Sequence, residues 1–351
     1  MLSIASAFRD ALVPFLIAGT TALVAMLAAL VIQRIVRQAR IVWRDRAAFR
    51  YQPDMDGALA GDDQAIERLR RAPRRHRGVI AELLLRPLAF VKGDISQRAR
   101  AVADHTGLLD RWRGDLDQPG WWVRAEAALA LGLVHDRDSI ALLTRALDDS
   151  HQQVRAAAVD SLGRIGDASV APLLLARLPQ QARNERTRIV EALRRMGGEA
   201  ITPLLEHTRH HPADRALAAE VLALLGGSDA VTALLDWTTD DRAAVRAAAW
   251  RALATIGIDN RAFYHALRAL TDDDAEVRAA AALAVGRSGR PESASYLAAR
   301  LDDEWVVAAQ AARALSRVGA SGLAALQQRA DGAEGLGRDL ARQLAWEAAR
   351  R

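Results

Sequence analysis

Residues 148–166 read DDSHQQVRAAAVDSLGRIG, in which two aspartates and a Val-Arg pair precede an Ala-rich run and a glycine. The same order of residue types returns when the chain is aligned on Arg155. The register positions, which follow one another at intervals of 29 to 32 residues, are Arg124, Arg155, Arg186, Arg215, Arg246, Arg278 and Ala308. An internal period of this length is typical of repeat proteins.

Each repeat predicts two helices with an Asp-rich turn between them, for example 139–146 and 151–165. Seven residues after the register position stand Leu131, Leu162, Leu193, Leu222, Leu253, Val285 and Leu315. Eleven residues after it stand glycines at every repeat except the first, where His135 takes the place. The aspartates are suited to cap the second helix and the glycines to end it. Because one helix pair cannot bury its own apolar faces, neighbours must stack, and the sequence predicts an all-α superhelical solenoid.

Composition supports a helical protein with a large core. Hydrophobic residues make up 51% of the chain and aromatic residues 5%, which favours closely packed helices over a sheet sandwich. The absence of cysteine excludes disulfides, thiolate metal sites and a cysteine nucleophile. The net charge of +5 is a weak indication of an anionic partner, since Lys92 is the only lysine among 48 basic residues.

The first 33 residues predict a membrane anchor. Residues 11–32 carry no charge over 22 positions, enough for one transmembrane helix, and a signal peptide is the alternative. Arginines after this segment predict that the N-terminus lies outside a bacterial inner membrane and the rest of the chain in the cytoplasm. Residues 34–63 then form a basic juxtamembrane helix and linker, with a break at 51–63. Binding to anionic lipid headgroups is predicted for Arg34, Arg37, Arg40 and Arg44, with a solvated flank as the alternative.

The repeated pattern resembles HEAT repeats, particularly the bacterial type first associated with phycobilin lyases. It is carried by LDDSHQQVRAAAVDSLGRIG, WTTDDRAAVRAAAWRALATIG and LTDDDAEVRAAAALAVGRSG, and it covers residues from about 107 to 319. A degenerate unit precedes it and a polar cap follows it, so the solenoid domain is assigned to residues 64–351.

The resemblance implies a ladder in which the turn aspartate of one repeat pairs with the arginine of a neighbour. Carried over position by position, the ladder residues are Arg124, Arg155, Arg246, Arg278, Asp149, Asp240 and Asp272. The third and fourth repeats depart from the pattern, with Gln180 and Arg209 at the aspartate position and Glu185 and Asp214 in place of valine. The ladder is in doubt at those two repeats.

Second helices line the concave surface of HEAT proteins, and arginines recur there in this chain. The predicted partner-binding strip consists of Arg164, Arg188, Arg195, Arg251, Arg287, Arg313 and Arg317. If these side chains face the groove, they suit an acidic protein segment or a phosphate backbone. The alternative is that they complement the carbonyl ends of their own helices.

Other residues give weaker indications of a site. His207 and His211 have the i, i+4 spacing of two metal ligands, but no third ligand accompanies them, so no metal site is predicted. Tryptophans on or beside the second helices are either binding anchors or packing residues. No catalytic constellation or phosphate loop is present in the sequence, and no enzyme activity, cofactor or small-molecule substrate is expected.

The sequence therefore predicts a membrane-anchored cytoplasmic scaffold that binds a protein partner, either an acidic protein or a membrane-associated enzyme or signalling complex. No nucleic acid is expected. The alternative is a HEAT-like enzyme that resembles DNA glycosylases or phycobilin lyases.

Overall fold

The structure is a computed structural model that describes residues 2–88, 94–178, 183–332 and 334–348. These residues form helices and turns, with no strand among them. Contacts divide the chain into two compact units. The first consists of Met1–Asp115 and Leu133–His135, and the second of Leu116–Gly132 and Asp136–Arg351.

The first unit is built around one long helix. Its helices are α1 Leu2–Ala60, α2 Asp63–Arg70, α3 Arg77–Leu88, α4 Asp94–His105 and α5 Leu108–Asp115. The C-terminal part of α1 contacts α2, α3 and α4. Met55 of α1, Leu69 of α2 and Leu84 of α3 are buried in the core that these helices share.

The chain break expected at 51–63 is much shorter in the structure. Helix α1 continues past Pro53 to Ala60, and the reversal is made by Gly61, whose φ of 102° suits glycine. Asp62 then caps α2 by accepting a hydrogen bond from the Gln64 amide. The basic segment and the residues assigned to a linker thus belong to one continuous helix.

The predicted membrane anchor is not supported, and the single-pass inner-membrane localisation is wrong. Among the described residues, no helix combines the length and the apolarity that crossing a membrane requires. A spanning helix needs about 20 successive apolar residues. The apolar residues 26–32 of α1 lead directly into Gln33 and Arg34, and the side chains that precede Leu23 lie outside those described.

The second unit is a stack of helix pairs. Its first helices are α7 Ile140–Ala146, α9 Ala171–Arg177, α11 Ile201–His210, α13 Ser228–Trp237, α15 Asn260–Ala269, α17 Ala294–Ala298 and α19 Ala320–Ala330. Its second helices are α6 Trp121–Leu133, α8 Gln152–Ile165, α10 Arg183–Met196, α12 Arg215–Leu225, α14 Ala243–Ile256, α16 Ala275–Arg287 and α18 Trp305–Leu315, followed by α20 Leu336–Ala348. From α8 to α20 each second helix contacts the next one, so these helices form a continuous layer.

The repeated sequence positions explain this architecture. The apolar residues seven places after the register position and the glycines eleven places after it have separate roles. Leu162 and its equivalents in the other repeats are fully buried between the two layers. Gly166 ends α8 in the left-handed conformation, with φ of 73°, and His135 adopts φ of 52° at the one repeat that lacks this glycine. The predicted all-α solenoid is confirmed for this unit.

A second set of glycines allows neighbouring second helices to touch. A Cβ atom added to Gly163 of α8 would lie 2.6 Å from the Cα of Ala192 in α10, and one added to Gly286 of α16 would lie 2.4 Å from the Cβ of Ala314 in α18. The equivalent Gly132 meets Ser161 at 2.4 Å to Oγ. These three glycines stand eight residues after the register arginine, so the close approach recurs with the repeat.

Replacing Gly163 tests this close approach. We expect Gly163→Val to lower the free energy of unfolding by about 1–3 kcal/mol, because the new atoms overlap the backbone of α10. Gly198→Val is the matched control in the same unit, since a Cβ there meets nothing within 4 Å. Urea unfolding monitored by circular dichroism measures both, and equal midpoints for the two variants would contradict the account.

Candidate functional site

The register arginine joins two neighbouring repeats through a fork of hydrogen bonds. Arg246 on α14 donates from Nε and Nη2 to the two carboxylate oxygens of Asp272, at 2.9 and 2.7 Å. Its Nη1 donates to the backbone carbonyls of Asp240 and Asp241 in the turn before its own helix. One side chain therefore ties the turn of its own repeat to the turn of the next one. Both side chains of the pair are mostly buried, which limits screening by water.

The same geometry occurs at two further register positions. Arg124 binds both oxygens of Asp149 at 2.7 and 2.8 Å, and it also donates to the carbonyls of Gln118 and Pro119. Arg278 binds both oxygens of Asp303 at 3.0 and 2.7 Å and donates to the carbonyls of its own turn. Bidentate pairs of this kind are among the stronger hydrogen bonds in proteins.

Each turn aspartate also shapes its own turn. The Oδ1 atoms of Asp149, Asp240 and Asp272 accept hydrogen bonds from the amide two residues later. The Arg124 guanidinium is the main cause of the lowered pKa of Asp149. Burial raises the pKa of Asp272, but the hydrogen bonds from Arg246 and the Asp274 amide outweigh this effect, and the net shift is downward.

The ladder changes partners in the middle repeats. Arg155 donates to the carbonyl of Asp149 at 3.0 Å and to Glu185 at 3.2 Å, so the glutamate that replaces valine supplies a carboxylate. Gln180, at the expected aspartate position, lies outside the described residues. Asp214 accepts a hydrogen bond from Nε2 of His207 at 2.8 Å. Both residues of this pair stand at positions that are apolar in most other repeats.

The ladder resumes after this exchange. Arg215 donates to Asp240 at 2.8 Å, and Arg242 binds both oxygens of the same carboxylate. The hydrogen bond from Arg242 is the main reason that the pKa of Asp240 lies well below its ordinary value. Arg186, in contrast, approaches the exposed Glu220 at 3.8 Å, which is its one ion pair within the described residues.

The predicted arginine strip divides into two halves. In the first half, Arg188 donates to Asp160 at 2.8 Å and Arg195 to Glu191 at 3.2 Å. Glu191 also binds Arg194, which lowers the pKa of Glu191 to about 2. Arg164 is half-buried. Carboxylates on the same surface therefore offset much of the positive charge on α8 and α10.

The second half keeps its charge. We call the four exposed arginines of this half the basic face, and they are Arg251, Arg287, Arg313 and Arg317. Arg251 approaches Glu276 at 3.6 Å, and Arg287 donates to the Ala254 carbonyl at 2.9 Å. Within the described part of the chain, Arg313 and Arg317 have no ion-pair partner.

Three of the four basic-face arginines lie on helices that touch, and Arg317 follows two residues after the end of α18. Arg287 follows Gly286 and Arg313 precedes Ala314, and these two small residues lie against each other where α16 and α18 meet. Arg287 also reaches Thr255 on α14, at 3.3 Å, one turn after Arg251. The basic face therefore crosses three neighbouring second helices.

The tryptophans are split between packing and exposure. Trp237 and Trp250 are buried. Trp122 and Trp305 are 61% and 63% exposed, and Trp121 stacks on His151 with 4.2 Å between ring centroids. His207 likewise stacks on His211 at 4.5 Å. The exposed rings stand at the starts of second helices, next to the ladder.

The arginines assigned to lipid headgroups lie on the first unit. Arg34, Arg37, Arg40 and Arg44 are exposed on α1. Arg44 forms an ion pair with Glu82 of α3. Their binding to anionic lipid stays a prediction.

Sequence comparison defines the class of protein. The family model of HEAT repeats matches residues 115–194, 198–273 and 262–316, which together cover more than half of the chain. The chain belongs to the HEAT-repeat family. No curated protein sequence matches it.

Solved structures share the helical solenoid at low sequence identity. Human deoxyhypusine hydroxylase is 19% identical, with a TM-score of 0.30, and the alignment covers 86% of this chain and 98% of that one. The CpcE–CpcF complex of phycocyanin lyase from a Nostoc species is 17% identical, with a TM-score of 0.31 and coverage of 68% and 94%. Importin beta is 12% identical, with a TM-score of 0.45 and coverage of 82% and 48%, so the chain spans about half of that protein.

Two features of the site were not predicted from the sequence. Asp303, the partner of Arg278, stands five residues before its register position, whereas Asp149, Asp240 and Asp272 stand six before theirs, so strict alignment passes over it. The carboxylates that pair with exposed arginines of the second helices are also missing from the prediction. Asp160, Glu191 and Glu220 all stand five residues after a register arginine, and this recurrence is the signal that reveals them.

We expect Arg278→Ala to lower the free energy of unfolding by about 1.5–3 kcal/mol, since it removes both hydrogen bonds to Asp303 and leaves that carboxylate with the more distant Arg300, at 3.7 Å. Arg186→Ala is the control, because its only ion pair is long and exposed, and it should change stability by less than about 0.5 kcal/mol. Thermal unfolding of the two full-length variants compares their stabilities with that of the natural chain. Equal losses would show that the buried fork has no special role.

The ladder also predicts acid sensitivity. Because the pKa values of Asp149, Asp272 and Asp303 are lowered by folding, the unfolded chain takes up protons first, and stability falls as the pH drops below the ordinary aspartate pKa of about 3.9. Asp272→Asn should be less stable at neutral pH and lose less stability between about pH 5 and about pH 2. Unfolding midpoints measured over this range test the prediction, and an unchanged slope would contradict it.

Proposed function

We propose that this HEAT-repeat chain is a scaffold that binds an acidic segment of a partner protein on its basic face. The observation that carries the proposal is the unequal charge balance along the second helices. Of the strip arginines on α8 and α10, Arg188 and Arg195 are paired with carboxylates. Of the four exposed arginines of the basic face, Arg251 alone approaches a carboxylate within the described residues, that of Glu276.

The physical basis is electrostatic. Clustered charges of one sign attract a partner of the opposite sign and raise the association rate, with a strong dependence on salt. Arginine is suited to this role because its planar guanidinium can bind both oxygens of a carboxylate. Arg313 and Arg317 are free for such pairing within the described residues, while Arg251 and Arg287 have weaker contacts that a carboxylate can supplement or replace.

The fold supplies a rigid base for this surface. The alanines of α14, α16 and α18 that face the neighbouring helices are buried, and the ladder fixes the turns at the start of each helix. Binding residues on rigid helices lose less conformational freedom on association than residues on mobile loops. We therefore propose that the second unit binds a partner and does not itself catalyse a reaction.

The basic face can be tested with fluorescent poly-L-glutamate as the acidic probe. We expect Arg313→Gln/Arg317→Gln in the full chain to weaken binding roughly 2- to 30-fold, since each exposed ion pair contributes about 0.2–1 kcal/mol. Arg188→Gln/Arg195→Gln removes the same net charge from the neutralised half and is the matched control. Fluorescence anisotropy at several salt concentrations gives the dissociation constants.

Two results would overturn the proposal. Equal weakening by both variants would mean that poly-L-glutamate responds only to net charge. Tighter and more salt-dependent binding of duplex DNA than of poly-L-glutamate would favour the nucleic-acid enzyme alternative.

A further inference from the structure

A groove in the first unit lies between α1 and α3, away from the ladder residues and the basic face in sequence. It has a volume of about 480 Å³, within the range of roughly 300–1,000 Å³ that is common for binding sites in proteins. Its lining residues are Ile41, Arg44, Asp45, Ala48, Phe49 and Gln52 of α1 and Val79, Glu82, Leu83 and Arg86 of α3.

The apolar part of this groove is uncovered in a single copy. Phe49 is 85% exposed at its rim, and Ile41 is also exposed, while Val79 and Leu83 form the floor. Burying a phenylalanine side chain contributes about 1.5–3 kcal/mol, so an exposed Phe49 beside an apolar floor favours association. Ile35 and Val42 stand 14 and 7 residues before Phe49 and are exposed too. This seven-residue spacing is the one that places side chains on the seam of two paired helices.

The charges of the groove are balanced. Arg44 and Glu82 pair with each other. Asp45 and Arg86 line the same groove, and neither forms an ion pair within the residues that the structure describes. A strongly acidic or strongly basic partner would leave one of the two unsatisfied. A second copy of the chain, which offers the same acid and the same base, satisfies both.

We propose that two copies of the chain associate through this groove, with their α1 helices side by side and parallel. In this two-fold arrangement Phe49 of each copy packs against Phe49 and Val79 of the other, and Asp45 of each copy pairs with Arg86 of the other. Two-fold interfaces are self-complementary in this manner.

The parallel direction follows from which part of α1 is free. The segment that carries Ile35, Val42 and Phe49 is exposed, whereas Met55 and Ala58 are buried against the rest of the first unit. With the two Phe49 side chains in contact, only the parallel direction lets the two exposed segments meet along their whole length. In an antiparallel pair centred on Phe49, Val42 and Ile35 would instead face the part of the partner that carries the buried Ala58 and the end of α1.

Cysteine crosslinking tests the seam directly, because the natural chain has no cysteine. We expect Phe49→Cys and Val42→Cys in the full chain to form disulfide-linked dimers on mild oxidation in the expressing cells. Arg40→Cys is the control, since nine residues at 100° each place it on the side of α1 opposite to Phe49. Equal crosslinking at Arg40 and Phe49, or none at Phe49 and Val42, would overturn the proposal.

The charge pair gives a second and independent test that does not alter Phe49. Asp45→Arg alone and Arg86→Asp alone should each weaken the dimer by at least about tenfold, since like charges then face each other. An equal mixture of these two variants should restore a heterodimer, and the double variant Asp45→Arg/Arg86→Asp should restore the homodimer. Light scattering coupled to gel filtration measures the mass. A monomeric natural chain, or single variants that dimerise as well as the natural one, would contradict the interface.

Discussion

The second unit depends on a single recurring contact, in which the guanidinium of one repeat binds the turn aspartate of the next. The contact is effective because the arginine side chain has two sets of donors at fixed angles. In Arg246 one set holds the Asp272 carboxylate and the other holds the carbonyls of its own turn. Helix pairs that cannot bury their own faces must stack, and this fork fixes how each turn sits on the next one.

Close packing of the second helices accompanies the fork. Glycines eight residues after the register arginine let α8 approach α10 and let α16 approach α18 closely. Where the pattern fails, other residues supply the charge. Glu185 gives Arg155 a carboxylate, and His207 pairs with Asp214 where most repeats have apolar residues. The middle repeats therefore keep polar contacts at the same edge with different chemistry.

The repeats, the helix pairs and the all-α fold were predictable because buried leucines and helix-ending glycines recur at one period, and Leu162 and Gly166 behave as that period requires. Asp303 was missed because it stands one residue closer to its register position than the other turn aspartates do. The pairing of Arg188 with Asp160 was missed because the two residues are 28 positions apart and meet only when α8 packs on α10. The predicted membrane anchor is not supported because an uncharged run of residues does not by itself establish a spanning helix, and no helix of the described residues is both long enough and apolar enough to cross a bilayer. The groove beside Phe49 depends on how α1 packs on α3, and no short sequence pattern predicts that contact.

The ladder and the proposed binding surface are separate. The ladder lies at the turns, mostly buried and fully paired, whereas the exposed arginines of the basic face lie on α14, α16 and α18 and just after α18. In the fork between repeats, the arginine and the aspartate stabilise the fold together by more than the sum of their separate contributions. A double-mutant cycle with Arg246→Ala and Asp272→Ala, measured by urea unfolding, tests it most directly. We expect a coupling free energy of about 1–3 kcal/mol, and a value below about 0.3 kcal/mol, within the range of independent sites, would contradict the account.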